Sequence, residues 1–239
     1  MIVTALKAPP LKNVTMGCDK RLSDKLEEYT AVDVCLNRFS TTLITGPMGG
    51  GKTVLTLALL TGPLKKLFNF VYVVCPATSL ASIQDSPLKC LPDENFLGEL
   101  TAETAQHLVD VVTENASHNR RSLVIVDDCQ AALKDESILK LMLILSTNQR
   151  HIKCSTIYLL QNLTACAKKL RVVANNFIVF SISKSQLETL REEHLELSRR
   201  QFEAITKDTF ARPHAWLMFN ARTRRLFRGL HEEIDILSP

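Results

Sequence analysis

The chain has 239 residues and a mass of 26.8 kDa, a size that suits one large α/β domain or two small ones. Hydrophobic residues make up 46% of the chain and charged residues 23%, which excludes wholesale disorder and supplies apolar surface for a core. The formal net charge of +4 is too small to indicate nucleic-acid binding by itself.

Apolar segments and cysteines narrow the class of protein further. The apolar runs at 54–64 and 138–145 are shorter than the roughly 18 residues of a membrane span. The first residues lack the basic head and apolar block of a signal peptide, so we expect an intracellular protein with no membrane span. The seven cysteines include no CxxC pair, which favours buried, reduced thiols over a zinc site or a disulfide framework.

Strand and helix patterns alternate along most of the chain. Apolar, β-branched runs predict strands at 41–45, 70–75, 122–126, 156–160 and 176–181. Helical patterns occupy 23–35, 52–60, 101–117, 137–145, 162–171 and 184–206. Two last strands, at 215–219 and 225–227, would form a hairpin with a turn at 220–224. The sequence therefore predicts an α/β fold with a mostly parallel central sheet, helices on both faces and a C-terminal β-hairpin.

A glycine-rich segment between the first predicted strand and the next helix matches the phosphate-binding pattern G-x-x-x-x-G-K-[ST] in full. It consists of Gly46, Pro47, Met48, Gly49, Gly50, Gly51, Lys52 and Thr53. Glycines permit the positive φ angles that turn N–H groups toward a phosphate, and the helix that begins near Lys52 adds its positive end. The Lys52 ammonium can reach the β- and γ-phosphates, and the Thr53 hydroxyl can ligate Mg²⁺. We therefore predict a site for a nucleoside triphosphate with Mg²⁺.

Polar side chains at the ends of two later strands complete the predicted site. Asp127 and Asp128 follow the strand at 122–126, and Gln161 follows the strand at 156–160. We expect Asp127 to hold Mg²⁺ and Asp128 to act as the general base on the attacking water, although an Asp here also suits a helix N-cap. Gln161 can hydrogen-bond the γ-phosphate or the water, and the alternative is a polar strand end that caps the next helix.

Three segments together resemble a known family. GPMGGGKT, LVIVDD and QRHIKCSTIYLLQ (149–161) are similar to the poxvirus-type genome-packaging ATPases of the FtsK–HerA superfamily. These ATPases occur in nucleocytoplasmic large DNA viruses and in their virophage and polinton relatives. The pair Arg150-His151, followed ten residues later by Gln161, is the most discriminating part. The resemblance covers about 38–182.

The resemblance implies a RecA-like P-loop NTPase fold, which we expect over 36–239 after an N-terminal lead-in and helix at 1–35. It implies a homo-oligomeric ring that hydrolyses ATP to move double-stranded DNA into a preformed capsid. Capsid or portal-region proteins would be partners, and the host cytoplasm (the viral factory) and the virion would be the locations.

The resemblance also assigns roles to residues. It gives nucleotide and Mg²⁺ binding to Lys52 and Thr53, the metal to Asp127, the base to Asp128 and the sensor to Gln161. The superfamily usually has Glu where this chain has Asp128, whose shorter side chain requires the water to lie closer.

Two residues, Arg150 and His151, precede the predicted strand that leads to Gln161. Arg150 is the candidate for the arginine finger that one subunit inserts into the site of the next. The alternative for Arg150 is a solvated helix end, where cations are favoured. His151 reads as a structural histidine rather than an acid–base group.

Other P-loop classes fit less well. The chain lacks the Asn-Lys-x-Asp and DxxG motifs of a GTPase and the Ser-Gly-Gly signature of an ABC transporter. A small-molecule kinase and a nucleotide-binding scaffold with little turnover stay open.

Candidate DNA contacts are basic residues that would neutralise phosphates without reading sequence. These are Lys168, Lys169, Arg171, Arg222, Arg224, Arg225 and Arg228. Each of them also fits an ordinary solvated surface. We expect Trp216 to belong to the core of the protein and not to stack on bases.

Overall fold

The computed structural model describes residues 21–76 and 91–235, and the predicted lead-in at 1–20 lies outside these ranges. The strands are β1 (Thr41–Thr45), β2 (Phe70–Val74), β3 (Phe96–Leu97), β4 (Ser122–Asp127), β5 (Cys154–Leu160), β6 (Asn176–Val179), β7 (Leu217–Asn220), β8 (Arg225–Arg228) and β9 (Glu232–Ile234). The α-helices are α1 (Thr30–Leu36), α2 (Lys52–Thr61), α3 (Ala102–Ser117), α4 (Glu136–Thr147), α5 (Lys168–Val173), α6 (Lys184–His194) and α7 (Arg199–Thr209). Short 3₁₀ turns occupy Asp24–Glu28, Asp93–Asn95 and Ala132–Lys134.

The strands form one sheet in the order β3-β2-β4-β5-β1-β6-β7-β8-β9. All pairings from β3 to β6 are parallel, whereas β7, β8 and β9 each pair antiparallel with the strand before them. The predicted α/β class, the mostly parallel sheet and the C-terminal hairpin are confirmed. Because β5 lies between β4 and β1, the ends of these three strands are neighbours.

Successive residues of the central strands face two separate cores, as the alternation of side chains along a strand requires. Ile157 and Leu159 belong to the core that α1 and α2 cover. Tyr158 and Leu160 belong to the other core, which α3, α4 and the later helices cover. Both cores consist mainly of apolar side chains, so they fix the register of β5 between its neighbours.

Three predicted helices differ from the observed ones. The segment 23–35 forms a 3₁₀ turn and then α1. Residues 162–167 stay non-helical because the Asn162 side chain accepts hydrogen bonds from the backbone N–H groups of Thr164 and Ala165. The segment 184–206 is broken between α6 and α7, where Ser198 starts a new helix through a capping box with Gln201.

The short strands β3 and β9 were not predicted, since two or three residues carry no periodicity. The described cysteines are free and buried, in agreement with the expectation of reduced thiols. They are Cys35, Cys75, Cys129, Cys154 and Cys166. Within 21–76 and 91–235, no helix has the length and apolar character needed to cross a membrane.

Candidate nucleotide-binding site

The glycine-rich loop connects β1 to α2 at the carboxyl edge of the sheet. Gly49 and Gly51 have φ angles of 71° and 102°, in the left-handed region that favours glycine. A Cβ on Gly46 would lie 2.8 Å from the Phe180 Cβ, so this close approach to the end of β6 also requires glycine. The loop therefore has the backbone conformation that aims N–H groups at an anion.

Lys52 is the first residue of α2 and is 9% exposed. Its Nζ donates hydrogen bonds to the carbonyl oxygens of Gly46, at 2.8 Å, and Pro47, at 2.9 Å. Burial lowers the pKa of the Lys52 ammonium, while the charges of Asp127 and Asp128 act in the opposite direction. The ammonium thus lies across the loop, where a bound phosphate would find it together with the helix N-terminus.

Asp127 ends β4 and contacts the first turn of α2. The Thr53 hydroxyl donates to Asp127 Oδ2 at 3.2 Å. Burial raises the pKa of the Asp127 carboxyl, and the charge of Asp128 adds to this, whereas the Thr53 hydrogen bond lowers it. A hydroxyl and a carboxylate, both hard oxygen donors, are the protein ligands that Mg²⁺ takes beside phosphate oxygens. Thr53 and Asp127 therefore fit the predicted Mg²⁺.

Asp128 and Gln161 meet across the neighbouring ends of β4 and β5. Gln161 Nε2 donates to Asp128 Oδ1 at 2.8 Å, and both side chains are exposed. Asp128 has a φ of 53°, a left-handed conformation that Asp tolerates better than most residues. The structure thus brings the predicted base and the predicted sensor into direct contact, beside the phosphate-binding loop.

Gln130 is a residue of this site that the sequence reading missed. Its Oε1 accepts hydrogen bonds from the backbone N–H groups of Gln161, at 3.2 Å, and Asn162, at 3.3 Å. Its Nε2 donates to the Asn162 carbonyl at 2.6 Å. One side chain therefore ties the loop after β4 to the loop after β5. In the sequence, the one indication of this role is that Gln130 is a polar residue two positions after the acidic pair, which is a weak indication without the fold.

Two more side chains touch the phosphate-binding loop from distant parts of the sequence. Phe180, after β6, packs against Gly46, and a Cβ on Gly51 would lie 3.4 Å from its ring. His214 Nδ1 lies 3.4 Å from the Gly50 carbonyl oxygen. No local pattern links residue 214 to residue 50, so sequence reasoning had no signal for this contact.

Arg150 and His151 lie far from these groups in the same chain. Both are exposed in the turn between α4 and β5, at the amino end of β5, whereas Gln161 follows its carboxyl end. Seven residues of strand separate the two ends by about 23 Å at ~3.3 Å per residue. Arg150 is therefore outside the site of its own chain, and its predicted role in a neighbouring subunit stays a prediction.

The predicted DNA contacts divide into three groups. Arg171 is 7% exposed and forms two 2.8 Å hydrogen bonds with the Glu193 carboxylate, so its prediction as a DNA contact is wrong. Arg225 pairs with Glu233, Arg228 with Asp208 and Glu232, Arg224 with Glu196, and Lys169 with Glu136. Lys168 and Arg222 are exposed. Trp216 packs against one of the two cores, as expected.

Comparison with known proteins places this site in a family. A family model described as "Poxvirus A32 protein" matches residues 28–207, whereas no curated protein matches the chain. The fold is similar to that of B204, the DNA-packaging ATPase from Sulfolobus turreted icosahedral virus. The TM-score is 0.60 at 14% identity, covering 82% of this chain and 98% of that one.

Two further solved structures share the fold. For the genome packaging NTPase B204 from Sulfolobus turreted icosahedral virus 2, in complex with AMP, the TM-score is 0.58 at 11% identity, with 82% and 98% of the two chains covered. For the cytoplasmic domain of the type VII secretion ATPase EccC from Thermomonospora curvata, the TM-score is 0.54 at 14% identity, with 84% of this chain and 26% of that one covered.

The family match spans most of the chain and includes the phosphate-binding loop, both aspartates and Gln161. The chain therefore belongs to the poxvirus A32 protein family, and it is a nucleotide-binding P-loop ATPase related to viral genome-packaging enzymes.

Proposed function

We propose that this ATPase is a motor that moves double-stranded viral DNA into a preformed capsid. The observation that supports the proposal most is the joint placement of three groups at one sheet edge, in a chain of the A32 family. These groups are the glycine loop with Lys52, the Thr53–Asp127 pair and the Asp128–Gln161 pair. The printed description of B204 as a DNA-packaging ATPase agrees with this function.

The first step in the mechanism is binding of the triphosphate. Residues Gly46 to Thr53 would hold the phosphates, with Lys52 exchanging its carbonyl partners for β- and γ-phosphate oxygens. Thr53 and Asp127 would hold Mg²⁺, which neutralises charge on the phosphates when bound. Ordering of these ligands before binding reduces the entropy lost when nucleotide arrives.

The second step is activation of the attacking water. Asp128 would accept a proton from the water as the general base. Gln161, which donates to Asp128 in the structure, would orient the water or contact the γ-phosphate. Because Gln161 is tied to Gln130 through its backbone, loss of the γ-phosphate would be transmitted to the loops after β4 and β5.

Assembly into a ring would complete the site. Arg150 is exposed at the opposite sheet edge, from which it would reach the nucleotide of an adjacent subunit and stabilise charge on the transferred phosphoryl group. The ring would act with capsid or portal-region proteins in the viral factory of the host cytoplasm, and it would be carried into the virion.

Steady-state ATP hydrolysis with and without duplex DNA tests the proposal. We expect DNA to stimulate the wild-type enzyme, and we expect near-complete loss of turnover in Lys52→Ala and Asp128→Asn. Lys140→Ala, which removes an exposed cation on α4, is the matched control and should behave as wild type. Turnover that DNA leaves unchanged in the wild type would contradict a motor and favour a kinase or a scaffold.

A further inference from the structure

We propose that the amino-end edge of the sheet, opposite the nucleotide site, binds the phosphate backbone of duplex DNA. This inference rests on the proposed function and assigns the surface that holds the DNA. The surface, named here the basic edge, consists of the loops that enter β1, β2, β4, β5 and β6 together with the turn between β7 and β8. In sheet order these are residues 62–69, 118–121, 148–153, 37–40, 174–175 and 221–224.

The topology makes the basic edge continuous. Strands β2, β4, β5, β1 and β6 are adjacent and parallel, so their entering loops lie side by side. Strand β7 runs antiparallel to β6, which returns the β7–β8 turn to the same edge. Strand β3 starts beside Val73 rather than beside Phe70, so its entering loop lies further toward the nucleotide edge.

The charge of these loops has one sign. The six segments contain nine Lys or Arg residues and no Asp or Glu. Eight of the nine remain for DNA, because Arg150 is assigned to the nucleotide of the adjacent subunit. The described loops at the nucleotide edge, including the loop that enters β7, are close to neutral. They carry Lys134 and Arg212 against Glu99, Asp128 and Asp135. Acidic side chains border the basic edge at the β7–β8 turn, where Glu196 and Asp235 line a pocket with Arg224. The excess of positive charge is therefore greatest around 62–69, 118–121 and 148–153.

Three cations of the basic edge have neutral partners, whereas Arg224 of the β7–β8 turn pairs with Glu196. Arg121 donates to the Leu22 carbonyl at 3.0 Å, Lys153 donates to the Asn119 side-chain amide, and the Arg120 guanidinium lies 5.6 Å from the centre of the Phe70 ring. These partners are neutral. Among the described residues, Arg120, Arg121 and Lys153 form no ion pair with a carboxylate, unlike Arg171 and Arg191 elsewhere, which pair with Glu193 and Glu188.

A cleft within the basic edge has a lining suited to phosphate oxygens. Its volume is about 380 Å³, and it lies between Arg38 and Arg222. The side chains of Asn175 and Thr223 also line it, and Asp33, which lines it too, is paired with Arg21. Guanidinium, amide and hydroxyl groups are the side chains that contact DNA phosphates most often.

The dimensions match a duplex better than a small anion. Six neighbouring strands span about 24 Å at ~4.8 Å per strand. A duplex of that length carries roughly 14 phosphates at one charge per ~1.7 Å. Lys and Arg contacts to phosphates carry no base information, as a motor that passes any sequence requires. Because the nucleotide site lies at the other edge, DNA and ATP can be bound at the same time.

The test compares two double variants that change the net charge equally but at different places on the surface. Arg120→Glu with Arg222→Glu reverses charge on the basic edge, and Lys140→Glu with Lys207→Glu reverses the same charge on exposed faces of α4 and α7. Duplex binding is measured by fluorescence anisotropy over a range of salt concentrations, beside basal ATP hydrolysis without DNA and thermal melting. If Arg222→Glu disturbs folding, Arg38→Glu with Lys65→Glu replaces the first pair.

We expect the basic-edge variant to bind duplex at least ~10-fold more weakly than the wild type. The slope of log K against log salt concentration should also become shallower by about two, because each lost phosphate contact removes ~0.9 from it. Basal hydrolysis should stay unchanged, and the control pair should bind within twofold of wild type. If the basic-edge variant keeps the wild-type affinity and salt slope, and DNA still stimulates its hydrolysis, the assignment of this surface is wrong but the proposed function is kept. Wild-type protein that neither binds duplex nor responds to it would overturn the proposed function. If polyglutamate displaces the labelled duplex as well as unlabelled duplex does, the surface binds an acidic protein partner instead of DNA.

Discussion

Gln161 and Asp128 are joined by a 2.8 Å hydrogen bond between Nε2 and Oδ1, although they follow different strands. The bond holds one carboxylate oxygen of Asp128 in a fixed orientation relative to the Gln161 amide. In the proposed mechanism, orientation by Gln161 therefore determines where the Asp128 carboxylate lies relative to the attacking water. We therefore expect Asp128 and Gln161 to act together, so that a change in one residue also alters the effect of the other.

Gln161→Ala should lower turnover with little effect on nucleotide affinity. Without the amide, Asp128 loses its orientation, and misplacement of a catalytic group costs about 100-fold in rate. Turnover and nucleotide affinity are measured separately, by steady-state hydrolysis and by titration with a fluorescent ATP analogue. Gln106→Ala on α3, where the exposed Gln106 side chain pairs with Asp110, is the control. Equal losses of turnover and affinity would show that Gln161 holds ground-state nucleotide instead.

Gln130→Ala should uncouple the loops after β4 and β5. The variant loses three hydrogen bonds to backbone groups of Gln161 and Asn162, each worth about 1 kcal/mol. We expect a fall in turnover of about tenfold and a smaller response to DNA, with unchanged nucleotide affinity. Gln130→Glu retains the acceptor and should recover part of the response, which a purely structural role would not predict.

Asp127→Asn should raise the melting temperature of the nucleotide-free protein at neutral pH while abolishing hydrolysis. Burial raises the pKa of Asp127, so the folded state disfavours its charge, and ionisation costs stability above the pKa of the unfolded chain. The gain in melting temperature should therefore shrink as pH falls through the raised pKa of Asp127 and vanish below the ordinary Asp range.

Asp135→Asn provides a comparison of opposite sign. Hydrogen bonds from Ser137 and Ile138 lower the pKa of Asp135 at the N-terminus of α4. Its charge therefore contributes stability above the ordinary Asp pKa, and this contribution is lost as pH falls through the lowered pKa. Differential scanning calorimetry of both variants over pH gives the two trends, and parallel trends would contradict opposite pKa shifts at Asp127 and Asp135.

Arg171→Ala should reduce stability rather than DNA affinity. The substitution leaves Glu193 without its guanidinium partner at the margin of the core, and removal of one member of such a pair costs about 3 kcal/mol. Urea denaturation measures the loss, and Lys168→Ala, an exposed neighbour, should show none. A folded, stable Arg171→Ala protein with weakened DNA binding would restore the original prediction for this residue.

The central sheet of this fold could be predicted from local patterns of apolar residues in the sequence. The alternating strands and helices predicted the parallel sheet because buried strands such as β4 and β5 are continuous apolar runs. The glycine loop, Asp127 and Gln161 could be grouped because parallel strands end at a common edge. Contacts that depend on the packing of separate loops, such as Gln130 with Asn162 and His214 with Gly50, leave no periodic signal.

Charged residues were the least predictable part of the chain. Arg171 and Arg222 look alike in sequence, yet one is buried against Glu193 and the other is exposed. The difference arises from the position of Glu193 on α6, which only the fold brings to Arg171. For the same reason the grouping of cations at the basic edge could not be seen before strand order was known.

The described sheet ends on both sides in very short strands, β3 with two residues and β9 with three. Strand β9 also carries the exposed Glu232 and Glu233, which pair with Arg228 and Arg225 of β8, and short, charged edges resist pairing with another sheet. Copies of this chain that meet in a ring would consequently touch through loops and helices. Contacts between loops and helices can break and re-form during each cycle of hydrolysis, whereas a β-sheet that continued from one copy into the next would prevent the copies from moving relative to each other.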